Sequence, residues 1–221
     1  MKTLFLSYEL SNDLSGYGGG DRIEIEKSRS MCCGDTSNNT VFKMPTHFGT
    51  HIDFPFHFSS EGAKSSSYLS QDFVFEEVEL LELDLRERDS KIIEPADLGP
   101  TVNTKARLLF IKTFYCEVRD SHLYWENGPG FAPETAAALK KLYPALEAIA
   151  FDSISLTNFQ NRPLGRVAHK SFLIENNLLI IEDVDLKLIS KDTEIKEVII
   201  APLRMKDCDG APATIIAKVE K

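Results

Sequence analysis

The sequence contains no C-x-x-C pair: its four cysteines, Cys32, Cys33, Cys116 and Cys208, comprise one adjacent pair and two isolated residues. A zinc knuckle and a thioredoxin-type redox site are thereby excluded, and reduced, partly buried thiols are expected. No apolar run reaches the ~18 residues of a membrane span, and the stretch from Met1 to Glu9 lacks the long apolar core of a secretory leader. A cytoplasmic protein without a membrane partner is the expectation. Positive charge is scarce as well: 25 Lys and Arg against 34 Asp and Glu, interspersed along the chain, give a net charge of −9. No basic groove is available to offset phosphate charge, so nucleic acid is excluded as a partner and a small-molecule substrate is expected instead. Apolar residues nonetheless make up 43% of the 221 positions, enough to bury a substantial core, which rules out disorder. With no repeat, no composition shift and no low-complexity tract beyond Ser65-Ser66-Ser67, one domain over residues 1–221 is expected.

Hydrophobic periodicity points to an α+β chain dominated by short strands. These are expected at Thr3–Glu9, Arg22–Lys27, Val41–Met44, Phe75–Asp84, Arg107–Thr113, Glu147–Asp152, Leu178–Glu182, Glu197–Ala201 and Ala213–Val219. One helix should start at Pro133, with Glu134 near its positive end, and stop before Tyr143-Pro144; a second should cover about Gly165–Asn176. Gly16-Tyr17-Gly18-Gly19-Gly20 reads as a flexible loop, since it neither follows a strand at the dinucleotide-binding offset nor opens a helix.

Histidine carries the functional signal, because three of only five histidines lie between positions 47 and 57. In Thr46-His47-Phe48-Gly49-Thr50-His51-Ile52-Asp53-Phe54-Pro55-Phe56-His57-Phe58, the three imidazoles and one carboxylate occupy relative positions 0, 4, 6 and 10, all even. Residues two apart on an extended chain share a face, so His47, His51, Asp53 and His57 fall on one side. Phe48, Thr50, Ile52, Phe54, Phe56 and Phe58 fall on the other. A straight strand would separate the outer histidines by ~33 Å, so the chain has to bend, and Gly49 and Pro55 are placed to bend it. A helical zincin pair is excluded: Gly49, Thr50 and Ile52 are poor helix formers, and Phe48 stands where the glutamate base would be needed. Imidazole with carboxylate suits Zn²⁺ or Mn²⁺, and the absence of nearby cysteine favours a catalytic site with an open position over a closed structural one.

The same stretch resembles the signature H-x-G-T-H-x-D-x-P-x-H-F of the cyclase family of metal-dependent hydrolases, which includes kynurenine formamidases and isatin hydrolases. The match is full over His47, Gly49, Thr50, His51, Asp53, Pro55, His57 and Phe58. It extends along the chain through Arg107 to Thr113, Asn127 to Pro133, Ala150 to Ser155, His169 with Glu182, Pro202-Leu203 and Asp209 to Pro212. The resemblance implies a swivelling β/β/α-type fold: a mixed, partly barrel-like β core with helices packed outside. It implies His47, His51 and Asp53 as metal ligands, His169 and Glu182 completing a centre of one or two Zn²⁺ or Mn²⁺ ions, and His57 as acid/base. Glu182 lies 13 residues beyond His169, and Glu175 or Asp183 are the alternatives for that ligand. His122 lies outside every motif and reads as an ordinary loop histidine. Where the family often carries a Pro-Gly or Trp-Pro-Gly turn in its N-terminal loop, this chain has Gly16 to Gly20, which bears on the substrate and leaves the metal chemistry untouched.

A metal-dependent hydrolase of a linear or cyclic amide follows from the resemblance, with an aryl formamide such as N-formylkynurenine as substrate and a homodimer or homotetramer as assembly. Two other readings of the same residues are a metal-dependent lyase or dehydratase and a metal-stabilised binding protein without turnover.

Overall fold

The computed structural model describes residues 1–100 and 103–220. In chain order the strands are β1 (Lys2–Phe5), β2 (Glu24–Arg29), β3 (Asn39–Lys43), β4 (His51–Asp53), β5 (Val74–Phe75), β6 (Val78–Glu82), β7 (Ile92–Ile93), β8 (Leu108–Lys112), β9 (Gly130–Phe131), β10 (Ala148–Phe151), β11 (Leu179–Glu182), β12 (Glu194–Pro202) and β13 (Gly210–Glu220). The helices are α1 (Leu123–Glu126), α2 (Glu134–Leu142) and α3 (Arg162–Lys170). Among the described residues, no helix is long and apolar enough to cross a membrane.

The main sheet runs β5-β12-β13-β4-β11-β10-β8-β6, with β1 also paired to β13. Its β6, β8, β10 and β11 run parallel, while β4 pairs antiparallel with both β11 and β13. The sheet begins at β5 and ends at β6, which are consecutive in the chain, so it curls until it nearly closes into a barrel. The sequence pattern suggested one strand over Phe75–Asp84. The structure breaks it at Glu76-Glu77, because Val74 and Phe75 pair with β12 whereas Val78 onward pairs with β8. The chain turns the corner of the barrel there.

The parallel strands are buried on both faces, as their unbroken apolar runs require. Leu108, Phe110, Ala148, Ala150, Leu179 and Ile181 point into the barrel with Ile52, Phe54, Ile215 and Ala217. Leu109, Ile111, Ile149, Phe151 and Ile180 point outward against Leu139 of α2 and Ala168 of α3. Side chains that alternate with Ile52 on β4, and with Ile181 on β11, therefore emerge on the helix-covered face. The second helix begins earlier than the sequence pattern suggested, at Arg162, where the Asn161 side chain accepts from the Leu164 N–H at 3.3 Å. It passes into a π-helical turn over Ser171–Glu175, which buries Phe172 and Leu173.

Candidate metal centre

Strand β4 presents His51 and Asp53 outward, and its register sets Glu182 of β11 directly opposite His51. Helix α3 covers the same face and brings His169 over the carboxylates. All four side chains are buried, none more than 5% exposed. Each imidazole is fixed through its Nδ1–H. His51 donates to the Gly49 carbonyl at 2.8 Å, across a turn in which Gly49 has φ +67°, and His169 donates to the Gly165 carbonyl at 2.8 Å. Both Nε2 atoms are thereby aimed at one point. His51 Nε2 stands 3.3 Å from Asp53 and 3.4 Å from Glu182, and His169 Nε2 stands 3.6 and 3.5 Å from the same two residues. His51 Nε2 is buried and makes no hydrogen bond. Glu182 also accepts from the Leu156 N–H at 2.7 Å, which fixes its rotamer.

A second group overlaps the first at Asp53. His47 contacts Asp53 through Nδ1 at 2.8 Å and Asp209 through Nε2 at 2.9 Å, and its ring stacks on His57 with centroids 3.9 Å apart. His57 Nδ1 reaches the same Asp209 oxygen at 3.3 Å, and the Thr46 hydroxyl donates to the other oxygen at 3.2 Å. The bends expected in the motif occur where Gly49 turns the chain and where Pro55–His57 forms a 3-10 turn. That turn also corrects the one-face reading of the phenylalanines. Phe48 and Phe54 are buried in the core, but Phe58 is swung to the opposite side and stacks on His169 at 4.5 Å.

Asp209 was not singled out for a role from sequence. It reaches the site because β13 lands beside β4, with Gly210 opposite Asp53. A Cβ at Gly210 would lie 2.4 Å from Cε1 of His47, so only glycine leaves the imidazole in place. Gly210→Ala should force His47 off Asp53 and Asp209, lowering divalent-metal affinity by about 10–100-fold, the usual cost of disturbing a ligand's support. A metal titration of wild type and variant measures it.

The charges within the cluster support one another. Burial works against a charged His51, yet the carboxylates of Asp53 and Glu182 outweigh it and hold its pKa well above the ordinary histidine range. The same balance raises His47, chiefly against Asp53, and His169, chiefly against Glu182. Asp53 is held well below the carboxylate range by His47 and His51 in spite of its burial. Burial and the neighbouring Asp53 charge oppose ionisation of Glu182, but His169 and His51 bring it below its usual value. For His57 burial wins, and its pKa falls.

Of the other candidates, Glu175 is exposed at the end of the π-helical turn, outside the buried cluster. Asp183 is buried but committed elsewhere: Arg119 binds it at 2.8 Å and the Tyr124 hydroxyl donates to it at 2.5 Å. His122 is exposed beside Glu126. The cluster forms the floor of a cleft of about 430 Å³, in the range of small-molecule sites, whose walls include Tyr17, Phe58, Ile154, Arg162 and Arg166.

Comparison with known proteins bears on this geometry. Residues 5–157 match the profile of the Cyclase family. Over 220 residues the chain is 26% identical to the kynurenine formamidase of Bacillus thuringiensis subsp. konkukian (strain 97-27), covering 96% of this chain and 95% of that enzyme. It is 25% identical over 224 residues to the kynurenine formamidase of Bacillus anthracis, covering 98% and 97%. In fold it is similar to isatin hydrolase A from Labrenzia aggregata bound to benzyl benzoate, with a TM-score of 0.79 at 17% identity, covering 98% of this chain and 93% of that one.

Proposed function

The chain belongs to the Cyclase family, and from that premise we propose that it hydrolyses an amide C–N bond with the help of one or two divalent ions, Zn²⁺ or Mn²⁺, its substrate an aryl formamide of the N-formylkynurenine type. The observation that carries the reading is the buried, unpartnered Nε2 of His51, aimed with His169 Nε2 at the carboxylates of Asp53 and Glu182. A buried polar atom without a partner costs about 1–3 kcal/mol, and a cation between two imidazoles and two carboxylates removes that cost. The donor set fits a divalent ion of intermediate hardness: His51, Asp53 and Glu182, with His169 beside the two carboxylates, would hold one, and His47 with the shared Asp53, next to His57, would hold a second. When bound, such an ion supplies an acidified water at neutral pH and polarises the carbonyl under attack.

The chain's own groups do the rest. His57, neutral near pH 7 because burial lowers its pKa, is placed to take a proton and return it to the leaving nitrogen. Asp209 anchors its Nδ1, so Nε2 is the nitrogen left for proton transfer. Phe58 and Ile154 form an apolar wall that accommodates an aromatic ring and limits water. The test is a panel of aryl formamides and lactams assayed with Zn²⁺- and Mn²⁺-loaded protein, following release of the amine. No turnover of any amide by protein with full metal content would overturn the reading.

Metal removal gives a second check. A ligand present at about 1,000 times its Kd stabilises the native state by about 4 kcal/mol. For a chain of this size that corresponds to roughly 10 °C in Tm. Dialysis against a chelator should lower Tm by that order and abolish activity, and readdition of the ion should restore both.

The protein is further proposed to act as a homo-oligomer. The β2–β3 hairpin is exposed along almost its whole length, with Val41 and Phe42 each 54% exposed, and an isolated two-stranded ribbon is marginal in water unless something packs on it. A second copy of the chain is the partner proposed. Phe42→Glu should shift the mass measured by light scattering toward the monomer, whereas an unchanged mass would remove the hairpin from the interface.

A further inference from the structure

The cleft above the metal centre is lined by two arginines that form no ion pair among the described residues. Arg162 and Arg166 both line it, on a protein whose net charge is −9. Both are exposed, and Asp21, a carboxylate that lines the same cleft, forms no ion pair with either.

 The arginines belong to one stripe of α3: Arg162, Arg166 and His169 follow one another at i, i+4 and i+7, the spacing that stacks side chains on one face of a helix. At ~1.5 Å of rise per residue, Arg166 stands about 4.5 Å and Arg162 about 10.5 Å along the helix from His169. Arg162 is held in place by aromatic rings, with its guanidinium 4.2 Å from the centroid of Phe159 and 5.7 Å from that of Tyr17. Tyr17 lines the same cleft, and its hydroxyl is buried beside Arg162 without a hydrogen bond of normal geometry. Burial raises its pKa, so it is a neutral donor at pH 7. Two guanidiniums and one phenol thus line one cleft, beside the positive end of α3.

We propose that Arg162 and Arg166, with the Tyr17 hydroxyl, form a carboxylate subsite, so that the amide hydrolysed here carries a carboxylate one to two helix turns from its scissile bond. The proposal rests on the amide-hydrolase reading above and narrows its substrate class. A planar carboxylate matches the guanidinium fork, and a charge-assisted hydrogen bond of this kind contributes about 1.5–3 kcal/mol. That corresponds to roughly 10–100-fold in affinity.

The test compares 4-formamidobenzoate with formanilide on the full, metal-loaded chain. Water adds across the C–N bond of each, giving formate and either 4-aminobenzoate or aniline. The carboxylated substrate should be preferred by about tenfold or more in kcat/KM, through KM, and the preference should collapse toward one in Arg166→Gln and in Arg162→Gln, with Arg166→Lys retaining part of it. Metal content is measured in each variant. Equal kcat/KM values for the two substrates, or a preference that survives the double Gln variant because the carboxylate goes to the metal, would overturn the subsite. If neither formamide is hydrolysed, the amide-hydrolase reading fails, and calorimetry with 4-aminobenzoate and aniline still decides the subsite. Tighter binding of the carboxylate that disappears in the Gln variants upholds it, and equal binding overturns it.

Discussion

His51→Ala should lose metal and activity together. The His51 imidazole enters the cluster with its Nδ1–H already spent on the Gly49 carbonyl, so Nε2 is its single free donor and no rotation can substitute another atom. Alanine at this position leaves Asp53 and Glu182, both fully buried, facing each other with one imidazole fewer between them. Two effects follow. The ion loses a direct ligand, and with it the several kcal/mol of charge stabilisation an ion contributes to the reaction, so turnover should fall by about 10³-fold or more. The metal-free protein should also be less stable, by about 3–5 kcal/mol, the usual cost of removing one partner from a buried ion pair. Elemental analysis, a rate assay and thermal unfolding on the same preparation check all three. A variant that keeps full metal and full activity would remove His51 from the centre.

The site was legible in sequence to the extent that strand periodicity governs it. His51 and Asp53 share a face because they are two apart on β4, and Glu182 joins them because it alternates with Ile181 on β11. The same alternation separates Glu182 from its rivals, since Glu175 falls at the exposed end of the π-helical turn and Asp183, at φ +56°, has left the strand and turned to Arg119. What periodicity could not supply is the consequence of turns and of distant pairing. The 3-10 turn at Pro55–His57 moves Phe58 from the expected core side to the face of His169. Asp209 acquires its place only when β13 pairs with β4, more than 150 residues after His47, and nothing but the Asp209-Gly210 dipeptide marks it locally. Nothing in the sequence singles out Arg162 and Arg166, which line the cleft only because α3 lies along it.

The break within Phe75–Asp84 has the same origin on a larger scale. The apolar run is continuous enough to read as one strand, but closing a sheet requires its two edges to meet, and Glu76-Glu77 is where the chain passes from one edge to the other. Local pattern specifies that a segment is extended; which neighbours it has is decided by the curvature of the whole sheet.

His57→Ala should separate chemistry from metal binding. His57 is half-buried at the wall of the cleft, past the Pro55 turn, and its only side-chain hydrogen-bond partner among the described residues is Asp209, itself 39% exposed. Its removal therefore orphans no buried charge, and the fold should persist with a stability change of about 1 kcal/mol or less. Of the groups around it, His47 lies closer to Asp53, in hydrogen-bond contact at 2.8 Å, and is the imidazole better placed to serve as a ligand beside that carboxylate. His57 stacks on His47 and lines the cleft. If it carries the proton, alanine should leave metal content near that of wild type while kcat falls by about 10²–10⁴, the range over which a positioned acid or base acts, with KM little changed. The opposite assignment has its own signature, because His47, Asp53 and His57 offer ligand atoms within 4.8 Å of one another, close enough for one ion to engage all three. In that case metal content would drop with activity, as in His51→Ala. Elemental analysis run beside the rate assay, with circular dichroism to confirm folding, distinguishes the two, and a variant retaining both full metal and full activity would exclude His57 from the mechanism altogether.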